Sequence, residues 1–250
     1  MQRRFGSLLL LLLLLAGWEA AARGGGMSAL VLPPPSAVLR SLWNGFASGY
    51  FWPHIAATGL ELVSGLVAGC VIGFASGVAM AESALFARLL KPYVVVSQVI
   101  PKLALMPLFI VWFGFGMTST VVITALICFF PLMENTVTSL QQVDSQRLEL
   151  FRMLGATRLQ TLLRLKLPAG LPGILAGLRV AVVLALVGAV VGEFIGAGKG
   201  LGALIIASQG MMDTSLMFAV LAIIAALGML LYQLIVAIEK WVLLPYTNIS

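Results

Sequence analysis

Apolar residues run almost unbroken for about twenty positions several times along this chain, at roughly 60–81, 93–113, 118–140, 173–196 and 216–238. A further run, Leu8 to Leu15, lies inside the first 23 residues. A hydrocarbon layer roughly 30 Å thick is crossed by about 20 such residues in a helix. Continuous runs, rather than ten-residue stretches of alternating polarity, predict helices and not a barrel, because each helix satisfies its own backbone in lipid. The pattern therefore predicts an all-α integral membrane protein with about six transmembrane helices. It divides into a first transmembrane segment or uncleaved leader (1–23), a periplasmic or interfacial segment (24–58), a transmembrane domain (59–240) holding a polar cytoplasmic loop at 141–172, and a short cytoplasmic tail (241–250).

Within two runs glycine recurs at every fourth position, at Gly65, Gly69, Gly73 and Gly77, and at Gly188, Gly192 and Gly196. That spacing stacks bare backbone on one helix face and predicts close helix packing there, or a moving seam. The aromatic group Tyr50, Phe51 and Trp52, ahead of Pro53, is expected at a membrane interface. Met1 to Ala22, with Arg3 and Arg4 before the leucines and alanines at its end, also has the grammar of a cleaved signal peptide. An uncleaved first span is the preferred reading, since it gives an even number of spans.

Composition agrees with lipid as the solvent: 61% hydrophobic and 10% charged residues, with a mean hydropathy of +1.08. Soluble domains carry about 25% charged residues. The net charge of +6 does not imply a nucleic-acid partner, because the basic residues sit in short loops. With the amino end inside, Arg3, Arg4, Arg88, Lys91, Lys240 and the group Arg147, Arg152, Arg158, Arg164 and Lys166 face the cytoplasm, against Arg23, Arg40 and Lys199 outside. This asymmetry predicts both termini in the cytoplasm, and the 141–172 loop with them. Cys70 and Cys128 lie in apolar runs and His54 is the sole histidine, so no metal, disulfide or cofactor is expected.

The cytoplasmic loop keeps helical spacing. Asp144 is placed to cap a short helix with Leu148, Phe151 and Leu154 on one face, and Gly155 to end it in a left-handed turn. Thr157 is placed to cap a second helix bearing Leu159, Leu162 and Leu163 with Arg158, Arg164 and Lys166, which Pro168 and Pro172 are expected to stop. Such a projection suits a groove in a partner protein, or a helix lying on anionic lipid.

Glycines before a lysine at Gly196-Ala197-Gly198-Lys199-Gly200 invite a phosphate-loop reading. That reading fails, because Glu193 occupies the first required glycine and Gly200 the required Ser or Thr. Without a phosphate loop or a convergent set of reactive residues, this chain is read as non-catalytic. Ionisable residues inside spans cost roughly 2.5–3.5 kcal/mol on insertion scales. Lys102, Glu134 and Glu193 are therefore candidates for a translocation path, with Lys102 either paired to Glu134 or acting as counter-charge to an anionic solute.

The loop also resembles a known family. Bacterial ATP-binding-cassette importer permeases carry Glu-Ala-Ala, three residues, Gly, nine residues, Ile, one residue, Leu-Pro before the penultimate span. Here Glu149, Leu150, Phe151, Gly155, Leu165, Leu167 and Pro168 stand in register, with Leu150 and Phe151 in place of the alanines and Leu165 in place of Ile. The stretches from Pro101 to Gly114 and from Leu171 to Arg179 are similar to the nitrate, sulfonate, taurine and pyrimidine-precursor branch. The resemblance implies a type I importer permease fold, a second permease copy, cytoplasmic ATPases docked on a coupling loop that includes Ala156, and a periplasmic solute-binding protein. It also implies residence in a bacterial inner membrane. A secondary transporter not driven by ATP is the alternative.

Overall fold

The structure is a computed structural model that describes residues 2–24, 28, 30–196 and 198–247. Of the positions used above, Met1, Ala197 and residues 248–250, with the side chains of Arg3, Arg4 and Leu8, lie outside them.

The described residues form helices joined by short turns. They are α1 (Gln2–Gly24), α2 (Pro35–Ala47), α3 (Trp52–Glu82), α4 (Ala84–Val99), α5 (Met106–Phe113), α6 (Met117–Gln141), α7 (Ser145–Met153), α8 (Arg158–Thr161), α9 (Leu167–Gly196), α10 (Leu201–Gly210) and α11 (Thr214–Thr247). Four helical stretches, Trp52–Glu82, Met117–Gln141, Arg158–Gly196 and Thr214–Leu244, are each long and apolar enough to span a membrane.

The stretch expected as one span at 93–113 is instead a broken pair. α4 and the segment Lys102–Phe113 meet at 89°. Pro101 causes the break: it pushes Ile100 into the extended region, with ψ at 125°, and withholds a backbone donor. A short 3₁₀ turn, Lys102–Leu105, leads into α5.

The core is organised on α6, which packs chiefly against α3 on one flank and α9 on the other. The glycine stripes explain how. A methyl group at Gly69 would lie 2.5 Å from the Ala125 carbonyl oxygen, and one at Gly73 would lie 2.6 Å from that of Phe129. On the opposite flank, a methyl at Gly192 would lie 2.8 Å from Thr120 Cγ2. The stripes meet at Thr124, which sits 2.6 Å from the space a Gly65 side chain would need and 3.0 Å from that of Gly188. The seven stripe glycines are buried.

A second apolar cluster joins α2, α10 and α11 around Phe51, which is fully buried. Gly45 leaves the space that the Phe51 ring fills, while Tyr50 and Trp52 remain exposed. The span after it begins earlier than expected, at Trp52, because Pro53 takes the first turn, where its missing N–H costs nothing. α1 rests on this cluster through Trp18, whose ring lies 5.6 Å from that of Phe218. Its Glu19 accepts from the Ser36 backbone N–H at 3.0 Å, in the first turn of α2.

Gly69→Val should therefore strain the α3–α6 seam, lowering stability by about 1–3 kcal/mol. Gly59→Ala, on the same helix with open space around it, should change little. Thermal unfolding of the detergent-purified chain measures both.

Candidate coupling loop and translocation path

The loop after α6 is built from caps. Asp144 accepts from the Gln146 N–H at 3.0 Å and starts α7. At its other end Gly155 has φ of +71°. The Gly155 N–H bonds Arg152 O at 3.0 Å and the Ala156 N–H bonds Phe151 O at 3.0 Å, the paired bonds of a Schellman turn. Thr157 and Gln160 then form a capping box, with bonds of 3.2 and 2.8 Å. All three capping residues expected from sequence hold these places.

The prolines do not act as expected. Pro168 and Pro172 lie inside one continuous helical stretch, Arg158–Gly196. Its turn Leu162–Lys166 is widened to a π-helix, so that Leu167 N–H reaches back to Leu162 O. Widening relieves the clash a proline ring makes with the carbonyl four residues earlier. The amphipathic segment thus feeds straight into the span.

Leu165 is buried, and Leu162 and Leu167 pack on Leu132, Leu140 and Ile174. Lys166 Nζ lies 2.6 Å from Glu82 Oε1, tying the widened turn to the end of α3. Beside this pair is a cleft of about 380 Å³ lined by Leu148, Arg152, Ala156, Arg158 and Thr161. Phe151 is half-buried, Glu149 is exposed, and Leu150, Met153, Leu154, Leu159 and Leu163 are more than half exposed. The loop is internally satisfied, yet its tip is apolar and bare.

The candidate path residues do not form the expected unit. Lys102 lies 4.6 Å over the Phe130 ring, and exposed Glu134 accepts from Gln98 Nε2 at 3.3 Å. Lys102 and Glu134 therefore share a region without an ion pair, because the turn after Pro101 carries Lys102 onto the aromatic face. Glu193 is elsewhere, buried at the opposite end of α9 from the loop, with Gly202 N–H 2.5 Å from its Oε2.

Sequence reasoning missed its neighbour Glu61, which is also buried. The signal was present: with Pro53 at the helix start, Glu61 falls well inside α3 rather than at its edge. α10 was missed too, being a short apolar helix of ten residues.

The model of binding-protein-dependent transport system inner membrane components matches residues 65–243. The chain belongs to that family. It is the membrane-spanning, non-catalytic permease subunit of an ATP-binding-cassette importer. The permease is 37% identical to the riboflavin transport system permease protein of Chloroflexus aurantiacus, over 79% of this chain and 74% of that one. It is 36% identical to the formylaminopyrimidine transport permease protein of Halalkalibacterium halodurans, over 78% of each. It is also 32% identical to the taurine transport system permease protein of Escherichia coli, over 75% and 68%. In fold it is similar to the inward-facing MetNI methionine transporter, with a TM-score of 0.68, 21% identity, and coverage of 78% of this chain and 98% of that one.

A double-mutant cycle on Lys102→Met and Glu134→Gln should give a coupling below about 0.5 kcal/mol. The same cycle on Lys166→Met and Glu82→Gln should give about 1 kcal/mol. Thermal stability of the purified permease reads both.

Proposed function

We propose that two copies of this permease form the translocation path for a small anionic or heterocyclic organic solute, released to them by a periplasmic binding protein. Two ATPase subunits drive the path from the cytoplasm. The observation that carries this reading is the apolar tip of Leu150, Met153, Leu154, Leu159 and Leu163, bare on a loop whose backbone is already fully capped. Apolar side chains on a preorganised projection fit a protein groove. Relatives named for riboflavin, formylaminopyrimidine and taurine transport support the solute class. So does Lys102, a half-buried cation over the buried Phe130 ring with no carboxylate in ion-pair contact.

The fold supports one sidedness for the ends of its spans. Glu82 at the end of α3 and Lys166 before α9 meet on the loop side. Gly116 N–H bonds Gly196 O at 2.7 Å on the other. With the loop in the cytoplasm and α1 as a first crossing, both termini are cytoplasmic. Cysteine labelling from outside should then modify a reporter at Ser28 and not one at Ser250.

Coupling is tested at the Schellman turn. Gly155→Pro removes the N–H that bonds Arg152 O, and Glu149→Lys reverses an exposed charge beside the tip. Both variants should insert and dimerise while losing ATPase association or solute-stimulated ATP hydrolysis by tenfold or more, about 1.4 kcal/mol. If both keep full coupling, and neutralising Arg158, Arg164 and Lys166 alone abolishes transport, the loop is a lipid anchor and the reading fails.

A further inference from the structure

At the end of the bundle away from the coupling loop, one face of α3 carries His54, Thr58 and Glu61, spaced to stack along the helix. His54 and Thr58 face the turn between α9 and α10, and Glu61 follows one helical turn on. His54 Nδ1 lies 3.0 Å from Gly200 O and 3.2 Å from Gly200 N, and Leu201 N–H donates to Thr58 Oγ1 at 2.8 Å. Thr58 is fully buried beside Glu193. Glu193 also takes the Gly202 N–H, and side chains at Gly200 or Gly202 would collide with it. The turn is a fitted cradle for one carboxyl group.

Glu61 completes the cradle and leaves it one donor short. Glu61 stands one turn beyond Thr58 on the α3 face that meets Leu201, and Glu193 is held by the next residue, Gly202, so the two carboxyl groups are neighbours and act on each other electrostatically. Their residues are only 4% and 1% exposed. Glu61 Oε2 and Glu193 Oε1 nonetheless have no donor aimed at them. Two carboxylates are acceptors only, so they cannot bond each other unless one carries a hydrogen. Two bare charges in a dry site would also repel strongly.

No cation on the surrounding elements answers the pair. α6 brings Thr120 and Thr124, and neither α5 nor α10 carries a titratable side chain. Lys199 in the turn is exposed, and Lys102 faces Phe130. Asp213 caps α11 beyond the far end of α10, and the charged residues Glu239 and Lys240 stand at the other end of α11. His54 is engaged with Gly200. Among the described residues no group of three or more metal-ligating side chains exists.

We propose that Glu61 and Glu193 form a proton-binding site, in which one shared proton clamps α3 to the turn between α9 and α10. The hydrogen supplies the missing donor between the two orphan oxygens and leaves one net charge, which the Gly202 N–H and the Thr58 hydroxyl solvate. Losing it to hydroxide at high pH leaves two like charges face to face and opens the clamp. The site is independent of which solute the permease carries.

Infrared spectroscopy of the purified full-length permease tests this directly. At neutral pH the wild type should show a protonated-carboxyl carbonyl band that shifts in heavy water and is lost at alkaline pH. Glu61→Gln and Glu193→Gln should each abolish it, because a glutamine amide donates to the remaining carboxylate. Thermal melting supplies a second measure: wild-type stability should fall as pH rises, and Glu61→Gln should flatten that fall. Absence of the band from the wild type at neutral pH overturns the proposal however the variants behave. Its survival in both variants does so too, since the proton then resides on another carboxyl group.

Discussion

Close backbone approach on both flanks of one helix holds this permease together. In lipid there is little hydrophobic drive to press helix against helix, so association rests on packing. α6 is packed from either side by a helix whose facing side chains are reduced to hydrogen, and Thr124 stands where both stripes come nearest. The Thr124 hydroxyl is buried there without a hydrogen-bond partner, a cost the seam carries for proximity. The other spans are attached more loosely: only 6% of the apolar window of α11 is buried in the bundle.

From that seam the two working ends follow. At one end the Lys166–Glu82 pair and the buried Leu165 fix where the loop leaves the bundle, so its caps need only shape the projection. At the other end the same two helices, α3 and α9, bring Thr58, Glu61 and Glu193 around a glycine turn. Both ends therefore depend on the same helix pair, braced through α6.

Much of this was legible from residue types and spacing. Glycine at every fourth position gave the buried faces, and Asp144, Gly155 and Thr157 gave the caps, because each effect is local to one helix turn. What escaped was decided by tertiary context. Pro168 reads as a stop unless the helix can widen, and only packing of Leu162 and Leu167 on the bundle makes widening worthwhile. That Phe51 is buried shows only in the gap beside Gly45 that its ring fills. Lys102 and Glu134 read as partners because both are costly in lipid, yet the sharp bend at Pro101 assigns each a different neighbour. Glu61 escaped because the span was started too late.

The continuity of Arg158–Gly196 has a mechanical consequence. At about 1.5 Å per residue, its 39 residues make a rod of roughly 58 Å. Its glycine face bears on α6 from Gly188 to Gly192 and, nearer the loop, at Gly177, where the contact is with Asn135. A rod seated along its length in this way can roll or tilt but cannot easily bend there. The widened turn at Leu162–Lys166, close to the loop, is pinned to the bundle by the Lys166–Glu82 pair and the buried Leu165. Under the coupling role proposed for the loop, torque at the apolar tip reaches the glycine turn at the far end as a rotation of the whole beam, with no relay of separate side-chain movements required.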